Sequence, residues 1–252
     1  GDKRLKCTPP HDVPGTPANE VMIKALVPEA QKTADRLNEL IVKSQELLCN
    51  HPVNLKRKAE GKDMANSIWP WSPGYKPQMK PITQQYGLRN GVVISAVDLI
   101  KGIGIYAGLR SIDVEGATGL YDTNYEGKTE AAIEALKDND FVYLHIEASD
   151  EAGHEGNALL KKKTVEFLDH RVLKRLVEAS QEMDEPLTIA LLPDHPTPCR
   201  IRTHTAAPVP FIIYKPGKEP DNVQTYDEFS VEEGYYGLLS QDEFIKELFK
   251  KD

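Results

Sequence analysis

The stretch DFVYLHIEASDEAGH, residues 140–154, runs from an apolar segment straight into three carboxylates and a histidine. Its first half has the β-branched and aromatic content of a strand. A chain leaving a buried strand ordinarily turns on Gly, Asn or Pro. Here it carries Asp150 and, four residues on, His154. A second stretch repeats the arrangement. In LLPDHPTPCRIRTHT, residues 191–205, an apolar run ends in Asp194 beside His195, and His204 follows nine residues after His195.

Around these two stretches the chain alternates strand and helix. GVVISAV (91–97) has the pattern of a buried strand, the residues through Leu109 that of a helix, SIDVEGA (111–117) that of a short strand, and the residues from Lys128 to Leu136 that of another helix. After DFVYLHIEA come the amphipathic run ALLKKKTVEFLDHRVLKRLVEASQ (158–181), the strand PLTIALLP (186–193) and the strand VPFIIYKP (209–216). A last helix opens at SQDEF, where Ser240 and Glu243 have capping-box spacing. Strands separated by helices predict an α/β fold, with a mostly parallel sheet flanked by helices on both faces.

Toward the N-terminus the pattern weakens. Residues 1–28 are rich in Pro and Gly and predict an irregular connection, whereas residues 29–49 place apolar side chains at helical spacing, with Asn50 and HPVN as the stop. GKDMANSIWPWSPGYKPQMKP (61–81) holds both tryptophans and predicts a long loop. The expected organisation is a connection over residues 1–28 and a core domain over 29–252.

Length and composition exclude several classes. The 252 residues suit one large α/β domain or one domain with an appendage. No apolar run approaches the roughly 20 residues that cross a bilayer. A net charge of -8 and a pI near 5.5 argue against a nucleic-acid or anionic-membrane surface. Cys7, Cys49 and Cys199 are odd in number and show no CxxC spacing, which argues against a disulfide framework or a thiolate zinc site. A cytoplasmic location is expected.

In a sheet of this kind, ligands bind in the loops beyond the carboxyl ends of the strands. Asp150, His154, Asp194 and His195 fall there, and His204 lies on the loop before the next strand. Carboxylate oxygens and imidazole nitrogens suit borderline divalent metals such as zinc and manganese. Taken singly, such an acid is a helix cap and such a histidine a satisfied loop residue. Caps alone leave the adjacent histidines unexplained, so the set points to metal binding.

The words DEAGH, PDHPTP and RTHT resemble the metal-binding segments of cofactor-independent phosphoglycerate mutases, particularly their archaeal-type branch within the alkaline phosphatase superfamily. HPVN, IWPW, SAVDLIKGIG, GATGLYDTNY and PVPFIIY extend the resemblance from about Pro9 to Tyr214. It implies an alkaline phosphatase-like core with two divalent metal ions. One would be held by Asp150, His154 and His204, the other by Asp194 and His195. Manganese is the first expectation, with zinc, cobalt and magnesium as alternatives. The implied reaction interconverts 3- and 2-phosphoglycerate, a glycolytic isomerisation, through a phosphoserine. The family's N-terminal DG strand motif and its nucleophilic serine have no counterpart here, so the sequence resembles the C-terminal part of a longer enzyme, lacking its first strand and most of its cap domain. Residues 1–28 would then connect to that cap.

The implied substrate is a small phosphorylated carboxylic acid. Lys101, between VVISAVD and GIGIYAG, is placed to face a phosphoryl group, or else is a solvated lysine at a helix start. His11 and Asp12 contact substrate or form a turn. Arg57 and Lys62, beside the tryptophan loop, attract a phosphate or carboxylate or line a solvated face. The glycines of KGIGIYAG are spaced one residue away from a dinucleotide fingerprint. Two rival readings remain: another phosphate or phosphonate enzyme of the superfamily, such as those labelled phosphonopyruvate decarboxylase, and a non-catalytic metal-binding module.

Overall fold

Residues 1–77 and residues 78 onward pack as two separate units in the computed structural model, which describes residues 1–250 apart from the side chain of His11. In the first unit, β1 (Leu5–Lys6) pairs antiparallel with β2 (Lys24–Ala25). A 3-10 turn at Pro28–Ala30 leads into α1 (Gln31–Cys49), and α2 (Pro52–Ala59) follows, with His51 Nδ1 accepting the Val53 N–H. The apolar face of α1 needs a partner and finds it upstream: Leu5 and Ile23 close over Ala30, Ala34 and Ile41. Trp69 packs on the same cluster and donates its indole N–H to the Thr8 carbonyl at 2.9 Å. Residues 1–28 therefore share a core with α1, and the contacts divide the chain after Pro77 rather than at residue 28.

The second unit contains α3 (Ile82–Tyr86), β3 (Gly91–Ile94), α4 (Asp98–Tyr106), β4 (Arg110–Ile112), α5 (Tyr125–Leu136), β5 (Phe141–Leu144), α6 (Ala148–His154) and α7 (Ala158–Phe167). A π-helical turn at Leu168–Leu173 joins α7 to α8 (Lys174–Ser180); β6 (Ile189–Leu191), β7 (Ile212–Tyr214) and α9 (Glu243–Phe249) follow. Strands β4, β3 and β5 form a parallel sheet in that order, with β3 in the middle. GVVI is buried along its whole length, as a central strand of β-branched residues should be. α4 and α5 supply the crossovers that parallel neighbours require.

The expected mostly parallel sheet is smaller than the sequence pattern implied. β6 and β7 do pair, but with each other and antiparallel, in a separate ladder. No helix separates them, and a strand that follows another through a loop alone can fold straight back on it. At the end of the described chain, Glu243 reaches back to the Ser240 N–H at 2.7 Å, as the capping-box spacing predicts. No helix among the described residues is long and apolar enough to cross a membrane.

Two contacts hold the helices to this frame. Gly104 of α4 faces β3 so closely that a Cβ there would stand 2.6 Å from Val93 Cγ1. Arg171, in the π-helical turn, grips Glu126 of α5 through two hydrogen bonds of 2.6 and 2.7 Å, and its guanidinium lies over the rings of Tyr125 and Phe167. That guanidinium holds the Glu126 carboxyl at about 2, below its ordinary 4.5.

Gly104→Ala should therefore cost about 1–3 kcal/mol in urea unfolding, the usual range for overpacking. Gly102→Ala, on the same helix with open space around it, should be neutral or stabilising by up to about 1 kcal/mol. Because the Glu126 carboxyl is depressed in the folded state, its contribution to stability is present above pH 4.5 and is lost as pH falls toward about 2. A Glu126→Gln variant should show a flatter acid limb in stability measured across that window.

Candidate metal centre

Strand β5 ends at Leu144, and α6 begins four residues later, so the helix stands at the carboxyl end of the parallel sheet. Asp150 and His154, one turn apart on α6, share a face. Gly153 lets that turn meet the loop after β6: a Cβ at 153 would collide with the Thr197 carbonyl. Gly156 closes the helix at φ +71°, a left-handed conformation suited to glycine. Across this seam the loop delivers Asp194, His195, Thr197 and His204.

All five metal ligands expected from the sequence come together. His154 Nε2 lies 3.3 Å from Asp150 Oδ2 and 3.0 Å from His204 Nε2, and His204 Nε2 lies 3.5 Å from Asp150 Oδ1. The ligand atoms of Asp150, His154 and His204 all fall within 4.8 Å of one another. His195 lies against His204 with ring centroids 3.7 Å apart and planes tilted by 31°, and its Nε2 lies 3.3 Å from Asp194 Oδ2. The His195 backbone N–H donates to the other Asp194 oxygen at 3.0 Å, so the adjacent Asp and His do meet through a bent loop.

Hydrogen accounting tests whether these residues fit a cation. His154 Nδ1 lies 3.0 Å from the Arg202 carbonyl, an acceptor only, so in the neutral ring Nδ1 carries the proton and donates it. Arg202 itself holds a left-handed φ of +56°, uncommon away from glycine. His154 Nε2 is then a bare lone pair facing a carboxylate oxygen. Acceptors that converge in this way share either a proton, from His204 Nε2 or on the His154 ring itself, or a metal cation, and carboxylate with imidazole is the donor set that zinc or manganese takes. The residues fit a divalent ion.

Several neighbours carry no signal as strong in the sequence. Thr197, 3% exposed, donates its hydroxyl hydrogen to Asp150 Oδ1 and lies 3.3 Å from His195 Nδ1; it stands inside the PDHPTP word, where a threonine by itself signals no ligand. Lys161 Nζ donates to the Thr197 carbonyl at 2.7 Å. His145 follows β5 and sits between Ser95 Oγ, at 3.0 Å from Nδ1, and Glu147 Oε2, at 3.3 Å from Nε2. Burial lowers the His145 pKa and raises that of Glu147, which Asp150, Glu151 and Asp194 raise further. Glu147, Asp150 and Glu151 themselves form a second group of close carboxylates. Ser95 and His145 are each the first residue past a parallel strand, the same placement that singled out the acids.

The remaining expected residues belong to other elements. Lys101 is in the first turns of α4, with Nζ 2.6 Å from Asp113 Oδ1, an exposed partner just past β4. Arg57 donates to the Asp63 carbonyl at 2.6 Å, and Lys62 pairs with Glu60 at 2.7 Å; both belong to the unit of residues 1–77. Asp12 ends a 3-10 turn in that unit, and the side chain of His11 lies outside the described residues.

Comparison with known proteins bears on the centre as a whole. A relative from Methanosarcina mazei named 2,3-bisphosphoglycerate-independent phosphoglycerate mutase is 51% identical over 246 residues, covering 97% of this chain and 60% of the relative. One from Geobacter sulfurreducens, named a probable enzyme of the same kind, is 48% identical over 242 residues, 95% of this chain and 58% of its own length. The chain thus spans about 60% of the length of the curated relatives it matches. The solved structure of the PH0037 protein from Pyrococcus horikoshii superposes with a TM-score of 0.69 at 34% identity, over 83% of this chain and 54% of that one. A cofactor-independent phosphoglycerate mutase from Thermoplasma acidophilum, at 24% identity and a TM-score of 0.50, covers 93% of this chain and 55% of its own, and shares the fold. Residues 17–243, with every histidine and aspartate of the cluster among them, match the metalloenzyme superfamily, and the chain belongs to it.

Proposed function

We propose that this chain supplies the metal ligands of a 2,3-bisphosphoglycerate-independent phosphoglycerate mutase, which interconverts 3- and 2-phosphoglycerate through a phosphoserine. The observation that carries the reading is the convergence of imidazole nitrogens on the Asp150 carboxylate, with the His154 lone pair turned inward by Arg202. Asp150, His154 and His204 would hold one ion, and Asp194 and His195 would contribute to a second. Manganese is the first choice and zinc the next. When bound, such ions supply Lewis-acid stabilisation of phosphoryl charge.

The chain's own residues contribute orientation. α6 and the loop after β6 present two carboxylates and three imidazoles to one another across the seam, and Thr197 and Arg202 contact them there. A small phosphorylated carboxylic acid is the proposed substrate. His11, Asp12, Arg57 and Lys62 are assigned to it from the sequence, and Lys101, assigned a catalytic role, gives one of its three N–H donors to Asp113. A cytoplasmic location accompanies this reading.

Two measurements test it. Manganese or zinc at about one hundred times its Kd should raise the stability of the chain by about 2.7 kcal/mol, with reversal by chelator. Asp150→Ala and His204→Ala should each abolish most of that increment; an unchanged increment in both removes the metal centre from these residues. No segment of the 252 residues resembles the family's serine motif, so a coupled assay on the chain alone should show metal binding without mutase turnover. Turnover at the rate of an intact mutase would reassign the nucleophile to a residue of this chain.

A further inference from the structure

We infer that Thr197 is a positioning residue that ties the two ion-binding groups together, setting the rotation of Asp150 with its hydroxyl hydrogen and the tautomer of His195 with its lone pair. The inference rests on the proposed reading of Asp150, His154, Asp194, His195 and His204 as ligands.

The hydroxyl of Thr197 has one hydrogen and two lone pairs. The Asp150 carboxylate only accepts, so the hydrogen goes to Oδ1. What remains toward His195 Nδ1, 3.3 Å away, is a lone pair, which favours a proton on Nδ1. Asp194 Oδ2, 3.3 Å from Nε2, draws the proton the other way, and the Thr197 lone pair is the group that tips the ring toward a bare Nε2, the form that can bind a cation. One side chain thereby prepares an oxygen of the first group and a nitrogen of the second. It also leaves Asp150 Oδ2 directed at His154 Nε2.

Thr197 is itself held in place. Its carbonyl accepts from Lys161 Nζ, its methyl lies against the α6 backbone where Gly153 leaves room, and the residue is 3% exposed. A buried hydroxyl with both of its functions in use has little freedom to rotate. Groups that orient metal ligands in this way commonly change metal affinity about 10–100-fold when removed.

Thr197→Val keeps the shape and removes the hydroxyl; Thr197→Ser keeps the hydroxyl and removes the methyl. Manganese and zinc titrations of the metal-free 252-residue chain should give the Val variant an affinity lower by about ten-fold or more, and the Ser variant one within about three-fold of the parent. Thermal unfolding without metal should show both variants folding cooperatively, with Val below the parent for its lost hydrogen bond to a carboxylate. Ring 15N NMR of the metal-free parent, above the imidazole titration range, should show the His195 proton on Nδ1, and a mixture of tautomers in the Val variant. A Val variant that binds within about two-fold of the parent overturns the inference, as does a Ser variant as weak as Val or a parent His195 protonated on Nε2. Should Val not fold, Ser against Thr197→Ala isolates the hydroxyl in the same way. A parent chain that binds neither metal overturns the proposed centre, and this inference with it; a parent that binds while Val matches it overturns the inference alone.

Discussion

Helix α6 can lie against the loop after β6 only because residue 153 has no side chain. The position a Cβ would take is filled by the carbonyl and methyl of Thr197, so any larger residue separates helix from loop. The contacts that join the two halves of the cluster cross this seam: Asp150 to Thr197, His154 to the Arg202 carbonyl, and His154 to His204. In a helix, residue 153 lies beside the face that carries 150 and 154, so the turn that presents two ligands also presents the bare backbone on which the others are mounted. The glycine in DEAGH is as much a part of the centre as the acid and the histidine on either side of it.

Around that seam the polar groups are arranged against their own comfort. Glu147, Asp150 and Glu151 crowd one turn, and burial together with the neighbouring carboxylates raises the Glu147 pKa. Tyr143, in β5, is raised by burial and then by Asp194. A cluster with this excess of acceptors and negative charge is poorly suited to an empty interior and well suited to a multivalent cation. Elsewhere in the unit, two cationic side chains are closed off locally. Lys128 is fully buried, yet its Nζ donates to the Thr118 carbonyl, and Arg171 is neutralised by Glu126. The contrast separates side chains that complete the fold from side chains that wait for something to bind.

Much of this was legible from the chain alone. β3 and β5 follow from runs of β-branched and aromatic residues, α1 from its helical spacing, and the capping contact of Ser240 with Glu243 from a spacing of three. What misled was the pairing of strands. IAL and IIY have strand composition, but composition says nothing of partner or direction, and the two joined each other rather than the parallel sheet. Residues 1–28 likewise looked like a connection because Pro and Gly mark turns, while the two apolar residues that matter, Leu5 and Ile23, are too isolated to show a period.

The sequence by itself determined which residue types stand at the strand ends, and hence the chemistry on offer: Asp150, His154, Asp194, His195 and His204 bring carboxylate oxygens and imidazole nitrogens. Their spacing along a helix or a turn is local, and local geometry follows from backbone dihedrals. Only the tertiary structure decided that the segments around Asp150 and His204, 54 residues apart in the numbering, share one cluster, which nitrogen of each imidazole faces inward, and that Lys101 is paired with Asp113. Those outcomes depend on contacts between segments distant in sequence, through the carbonyl of Arg202, the hydroxyl of Thr197 and the missing side chain of Gly153. A hydrogen bond has direction, and its direction exists only once both partners have been placed.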